Sequence, residues 1–219
     1  MLSLLLPRDA GWPLKLLFLG AHCDDIEIGC GGTLLQLLAA RPDTEVSWVV
    51  FSATEAREQE ARAAAALFLG GAARADVQVF RFRDGYFPYE GARIKECFDA
   101  LRTRMDPDAV FTHYRDDRHQ DHRTISDLAW NTWRRHLVLE YEVPKYDGDL
   151  GRPNLYSPLS RQTCMQKARA ICEVFRSEAG KPWMTEDTFT ALARLRGIEC
   201  GAAEGFAEAF YCRKAVFSP

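Results

Sequence analysis

Residues 14–19 read LKLLFL, and residues 20–34 directly after them read GAHCDDIEIGCGGTL. A short, continuous apolar run of this kind marks a strand covered on both faces. Thr33 to Ala40 (TLLQLLAA) then reads as a buried helix, entered through a glycine-rich turn at Gly29, Gly31 and Gly32. The same alternation continues down the chain. Val46 to Phe51 (VSWVVF) predicts a strand, and Glu55 to Leu69 predicts a helix stopped by Gly70 and Gly71. Val77 to Phe82 predicts a third strand. Ile94 to Met105 predicts a helix ending before Asp106–Pro107, and Ala109 to His113 a fourth strand. Strand and helix in strict alternation imply an α/β fold, with a mostly parallel sheet and helices on both faces. Sites in such folds form at the carboxyl ends of the strands.

The second half is less regular. Asp121 to Arg135 predicts a helix and Val138 to Val143 a strand. Tyr146 to Pro158 (YDGDLGRPNLYSP) reads as a long loop, a mobile connection or a pocket wall. Helices are expected at about 163–178 and 186–196, and Ala209 to Phe217 as the last strand, closing the sheet. No repeat, low-complexity tract or linker divides the chain, so residues 1–219 are expected to form a single domain.

Composition narrows the class. Hydrophobic residues are 47% and charged residues 27%, and the net charge is −3 without a basic run, which argues against nucleic acid as a partner. Seven cysteines with no CxxC pair do not form a disulfide framework or a zinc ribbon, and they fit reduced thiols in a cytoplasm. The apolar start MLSLLL is too short for a signal peptide and lacks a preceding basic residue, and no stretch is long enough for a transmembrane helix. A homo-oligomer is compatible with all of this.

Two polar clusters follow apolar strands directly: residues 21–27 (AHCDDIE) and residues 113–122 (HYRDDRHQDH). They contain four of the five histidines. In a doubly wound sheet the fourth strand lies beside the first, so the two loops meet. A catalytic zinc takes three ligands of the His/Asp/Glu type and keeps one open position. His22, Asp25 and His122 supply two imidazoles and a carboxylate. Asp24 is left as a general base beside activated water. His119, near the entry of the helix that carries His122, is placed to hold an oxyanion or to protonate a leaving nitrogen. Asp121 is expected to fix an imidazole in one tautomer. An Asp-Asp pair after a strand is also a common helix cap, and a loop histidine is usually just solvated; the two clusters together carry the argument. Asp84, in Asp84-Gly85-Tyr86 after the third strand, is a candidate substrate contact, although Asp-Gly is equally an ordinary turn. His136 is read as a surface residue.

These segments resemble the PIG-L/LmbE family of zinc-dependent deacetylases, whose motifs are A-H-P-D-D-x-E with a glycine-rich turn, and H-P-D-H. Here they stand as AHCDDIEIGCGGTL and HQDH, with Arg57-x-x-Glu60 and Leu69-Gly70 also similar, so that the likeness spans roughly residues 14–125. The resemblance implies a Rossmann-like fold and the following roles: His22, Asp25 and His122 as zinc ligands, Asp24 as base, His119 stabilising the tetrahedral intermediate, and Asp121 paired to His119. The implied substrate is an N-acylated, normally N-acetylated, amino sugar or sugar conjugate, with Zn2+ as cofactor and Fe2+ or another divalent ion as a substitute. Cys23 and Gln120 replace the motif prolines. Cys23 is read as a small turn residue, with an extra metal ligand as the lesser alternative.

Two other readings compete. The same donors make the 2-His-1-carboxylate triad of non-haem Fe(II) enzymes, which leaves Asp24, His119 and Asp121 without a task. A non-catalytic nucleotide- or sugar-binding module would use the glycine-rich turn, but Gly29-x-Gly31-Gly32 does not fit G-x-G-x-x-G.

Overall fold

A computed structural model describes residues 13–216. Strands β1 (Lys15–Gly20), β2 (Glu45–Val50), β3 (Arg74–Val79), β4 (Ala109–His113), β5 (Leu137–Tyr141), β6 (Leu155–Leu159) and β7 (Phe206–Cys212) form one sheet in the order β3-β2-β1-β4-β5-β7-β6. The pairings from β3 through β5 are parallel, and β7 runs antiparallel to both β5 and β6. The helices are α1 (Asp25–Ala40), α2 (Glu55–Phe68), α3 (Gly91–Arg104), α4 (Gln120–Thr132), α5 (Arg161–Val174) and α6 (Glu186–Cys200). Among the described residues no helix is long and apolar enough to cross a membrane.

The period-2 geometry of β1 sends its side chains to two cores. Leu16 and Phe18 join α1, α2 and α5 residues such as Leu34, Phe68 and Ile171. Leu17 and Leu19 join α3 and α4 residues such as Phe98, Ile125 and Ala129. A strand buried on both faces has no room for alternating polar residues, which explains the unbroken run LKLLFL. The chain turns one way from β1 to β2 and the other way to β4. The gap between β1 and β4 is therefore the topological switch point, where open α/β sheets hold their sites.

Four expectations need correction. The glycine-rich segment is not a turn: it lies inside α1, which starts at Asp25. The glycines serve close packing instead. A Cβ on Gly29 would lie 2.1 Å from Tyr141 Cδ2, one on Gly31 2.6 Å from Phe68 Cε1, and one on Gly32 2.7 Å from Leu159 Cδ1. No phosphate has space at these glycines, which removes the support for nucleotide binding there. The third strand ends at Val79, because its partner β2 ends at Val50; Phe80 and Phe82 lie beyond the ladder and pack on Phe51. The long loop contains β6, a short outer strand that tolerates Pro158 because it is an edge. The last strand is Phe206–Cys212 and lies between β5 and β6 rather than at the edge; Phe217, and the start of the chain through Trp12, lie outside the described residues.

The C-terminal half braces α1. Glu208 of β7 accepts the N–H groups of Gly32 (2.8 Å) and Thr33 (2.6 Å), and Lys167 of α5 donates to Glu208 and to the Ile28 carbonyl, both at 2.6 Å. Both side chains are buried, so each charge depends on the other.

The packing at Gly29 makes a contrast measurable. Gly29→Ala should destabilise the protein by about 1–3 kcal/mol in urea unfolding, the usual cost of overpacking. Gly91→Ala, at a helical glycine with nothing within 4 Å of the added Cβ, should be neutral or stabilising by up to about 1 kcal/mol. Equal effects would remove close packing as the reason for the glycine.

Candidate metal centre

The β1 strand ends at Gly20, and the chain delivers His22 and Asp24 before α1 opens on Asp25. The β4 strand ends on His113; His119 then N-caps α4, whose first turn holds Asp121 and His122. Because β1 and β4 are hydrogen-bonded neighbours, these two ends form one pocket.

Asp25 is its centre. Its Oδ2 accepts the His22 backbone N–H at 2.6 Å, and lies 3.4 Å from His22 Nδ1 and 3.2 Å from His113 Nε2. Its Oδ1 is 3.4 Å from His122 Nε2, which is itself 3.2 Å from His22 Nδ1. Zinc bonds of about 2.0–2.1 Å to nitrogen and oxygen give tetrahedral edges of about 3.3–3.4 Å. The two imidazole nitrogens have that spacing from each other, and each has it from one oxygen of Asp25, His22 from Oδ2 and His122 from Oδ1, so these residues fit a divalent ion.

The other nitrogen of each ring is held by acid. His122 Nδ1 meets Asp117 Oδ2 at 2.9 Å, and Lys145 supports the same oxygen at 2.9 Å. His22 Nε2 is 3.0 Å from Asp84 Oδ1 and 3.4 Å from Asp121 Oδ2. Such carboxylates fix the tautomer and orientation of a metal-binding imidazole.

Three further groups each bring one ligand atom per residue close enough for a metal: His22/His119/His122, Asp25/His113/His122 and His22/Asp84/Asp121; the His22/Asp25/His122 set draws its members from the first two. They overlap at His22 and His122. His113 is fully buried and stacked on His122 with centroids 3.9 Å apart, and its Nε2 accepts the Ala21 N–H at 2.9 Å, so that lone pair is already engaged.

The pocket's charge balance favours a cation. Burial opposes a charge on His22, but Asp121, Asp25 and Asp84 together raise its pKa well above the ordinary value. Burial also opposes ionised Asp25, yet the surrounding imidazoles, His122 foremost, hold it well below the usual carboxylate range. Burial, with His113 beside it, lowers His122 to about 4. The bond from His22 lowers Asp84 to about 2.

Asp24 stands apart from the donor groups. It N-caps α1 without a side-chain cap bond, and its Oδ2 lies 3.2 Å from Arg57 Nη2. Burial raises its pKa against the pull of Arg57. His119 Nδ1 accepts the Asp121 backbone N–H at 3.3 Å, which assigns the proton of the neutral ring to Nε2. Burial and the neighbouring His22 lower its pKa, keeping the ring neutral. Both residues line a cavity of about 210 Å³ together with His22, Asp25, His122, Asp84 and a far wall that includes Lys145, Lys181 and Trp183.

Of the residues singled out in the sequence, His22, Asp24, Asp25, Asp84, His119 and His122 line one cavity, while Asp121 is buried behind His22, and not every partner is the one expected. The carboxylate of Asp121 accepts N–H bonds from Gly85 (2.7 Å) and Phe87 (3.1 Å) and faces His22; its recorded bond to His119 is through its backbone. Asp84 sits at the pocket mouth, its side chain 70% exposed, on a turn where Gly85 has φ +76°. Cys23 points into the core, with its thiol on the Ser52 carbonyl at 3.3 Å and its pKa pushed up to about 12 by burial; it joins none of the donor groups. His136 is only partly exposed and bonds Asp106 at 2.7 Å. Sequence reasoning missed Asp117 and Lys145. Asp117, five residues before His122, was legible as an acid in the same cluster; Lys145 carried no signal.

Three solved structures share the fold at low identity. A conserved protein from Thermus thermophilus has a TM-score of 0.70 and 22% identity, covering 94% of this chain and 97% of its own. The N,N'-diacetylchitobiose deacetylase of Pyrococcus horikoshii has a TM-score of 0.68 and 23% identity, covering 90% and 82%. The 4-carboxy-2-hydroxymuconate hydratase of Pseudomonas putida has a TM-score of 0.69 and 20% identity, covering 94% and 98%. The PIG-L family model, described as GlcNAc-PI de-N-acetylase, matches residues 17–133. That span is more than half of the sequence and carries every donor described above, and the chain belongs to the PIG-L family.

Proposed function

We propose that this chain is a zinc-dependent hydrolase that removes an N-acyl group, normally N-acetyl, from an amino sugar or sugar conjugate in the cytoplasm. Family membership supports a metal-dependent deacetylase. The observation that carries the reading is the His22–Asp25–His122 donor triangle, with Asp24 and His119 lining the same cavity. A divalent ion bound there supplies Lewis acidity, which lowers the pKa of water and polarises an acyl carbonyl.

The residues divide the remaining work. Asp24 takes a proton from water as the water oxygen bonds to the acyl carbon. The Nε2–H of His119 donates to the oxyanion developing on the acyl oxygen. The C–N bond then breaks as the proton held by Asp24 passes to the amine nitrogen, so that a free amine and a carboxylate leave. Asp84 and Asp121 keep Nε2 of His22 protonated and turn Nδ1 inward; Asp117 keeps Nδ1 of His122 protonated and turns its Nε2 inward. Asp84, exposed at the mouth, is also placed to accept hydrogen bonds from sugar hydroxyls. The seven cysteines are all free, as suits a reducing compartment.

Two alternatives share features with this reading. The donor set also suits Fe(II), and a hydratase shares the fold. Hydrolysis alone accounts for a carboxylate base and an N–H donor in one cavity with the donor triangle, together with the family match. Release of amine from N-acetylated amino sugars, free and carrier-linked, is the discriminating assay. Activity that needs oxygen and a 2-oxo acid, or water addition to an unsaturated acid without amine release, would replace the proposal.

Purified protein should hold about one divalent ion per chain, and chelation should abolish amine release until zinc is restored. His22→Ala and His122→Ala should each lose most of the metal by elemental analysis. Full metal content in both would break the ligand assignment.

The adjacent aspartates should fail differently. Asp24→Asn should keep its metal and lose about 10²- to 10⁴-fold in kcat. Asp25→Asn should bind metal more weakly and recover partly in excess zinc. His119→Ala should keep its metal and lose about 10²- to 10³-fold in kcat. Metal lost from Asp24→Asn and kept by Asp25→Asn would exchange the two roles.

A further inference from the structure

Arg57 and Glu60 lie three residues apart on α2, and both reach the single 3₁₀ turn Arg176–Glu178 that follows α5. Glu60 accepts the Ser177 backbone N–H at 2.9 Å and its hydroxyl at 2.6 Å. Arg57 Nη1 is 3.1 Å from Glu178 Oε1, while its Nη2 is 3.2 Å from Asp24 Oδ2. The Asp24 and Glu178 side chains are each only 7% exposed, and that of Arg57 is 20%.

These contacts do two different jobs. The Glu60–Ser177 bonds tie the turn to α2 and touch nothing in the cavity. The Arg57 fork joins two buried carboxylates, and Asp24, Arg57 and Glu178 all line the cavity that holds the metal donors. A guanidinium is planar and rigid, so fixing one nitrogen fixes the direction of the other. Asp24 makes no side-chain cap bond to α1, and among the described residues Arg57 is its only ion-pair partner. Arg57 Nη2 makes no hydrogen bond, so its hold on Asp24 is a charge contact at 3.2 Å, and the position of that charge is set by Glu178 at the far end of the fork. Lys181 also pairs with Glu178 and lines the cavity with Trp183, so the segment that anchors Arg57 is at the same time the pocket's far wall.

We propose that Glu178 is a positioning residue, which acts through Arg57 to aim the Asp24 carboxylate into the cavity. The proposal rests on the reading of Asp24 as the base. In this role Glu178 acts through Arg57 on the alignment of proton transfer, where misplacement by about 1 Å costs about 10²-fold. It links the C-terminal half to chemistry carried by the N-terminal half.

The test compares Glu178→Gln, Glu178→Asp and Glu60→Gln in amine release, metal content, thermal unfolding and crystal structure. Glu178→Gln should lower kcat about 10- to 100-fold with KM nearly unchanged and metal retained. Glu178→Asp keeps the charge, covers the case in which the Gln variant does not fold, and should restore part of the loss; a kcat equal to that of wild type in Glu178→Asp when Gln does not fold would overturn the proposal. Glu60→Gln should lower Tm and leave kcat near wild type. In an Asp24→Asn background, Glu178→Gln should add no further loss, because its route to the chemistry is already cut. An equal loss of kcat in Glu60→Gln, or a full additional loss in the double variant, would overturn the proposal and make Glu178 a structural tie. The structure of Glu178→Gln, or of Glu178→Asp if need be, is independent of substrate: Arg57 and Asp24 in their original positions would refute positioning. A displaced Asp24 in a protein whose wild type releases no amine would instead refute the deacetylase reading alone.

Discussion

The Asp25 carboxylate is the constraint on which the rest of the structure depends. It opens α1, accepts the His22 N–H, and lies within 3.4 Å of three imidazole rings. A buried carboxylate among imidazoles is stable only if the positive charge and the hydrogen bonds around it are complete. This requires β1 and β4 to be neighbours with their carboxyl ends level, and α1 and α4 to begin at the same height. The parallel sheet and its switch point meet that requirement. Asp117, Asp84 and Asp121 then orient the two rings from behind.

Residues 22–122 supply the donors, and the chain after them supports the site. Glu208 and Lys167 reach the helix that starts at Asp25. Tyr141 of β5 fits into the space left by Gly29, and its hydroxyl donates to the Leu19 carbonyl at 2.7 Å, on the strand leading to His22. Lys145 props Asp117, while the 176–183 segment closes the cavity from the far side. The family match ends at residue 133. This division places the candidate metal donors within the family's common part and half of the cavity lining outside it.

Much of this was legible in the sequence, for definite reasons. Strands buried on both faces leave continuous apolar runs, so β1, β2 and β4 could be read almost to the residue. The metal donors follow those runs directly, and strand adjacency brought the two clusters together before any coordinates. What was hidden depends on tertiary contacts. Gly29, Gly31 and Gly32 look like a turn because sequence shows glycine's freedom and not the aromatic ring or side chain packed against it. The strand Leu155–Leu159 lies in a stretch rich in Gly, Pro and Asp, and only its pairing with β7 makes it a strand. The family resemblance pairs Asp121 with His119, whereas its carboxylate turns to the loop at Gly85 and Phe87, about 35 residues away. Glu178 and Lys145 act across the fold, and no local pattern announces either.

X-ray absorption at the zinc edge of the loaded wild-type protein tests the central claim most directly, because it reads the donor atoms themselves. The account predicts a shell of nitrogen and oxygen at about 2.0–2.1 Å with multiple scattering from two imidazoles, and no sulfur. A sulfur shell at about 2.3 Å would bring Cys23 or another thiol into the site, and a shell with three imidazoles would replace Asp25 by His113 or His119. Either result would contradict a centre built from His22, Asp25 and His122.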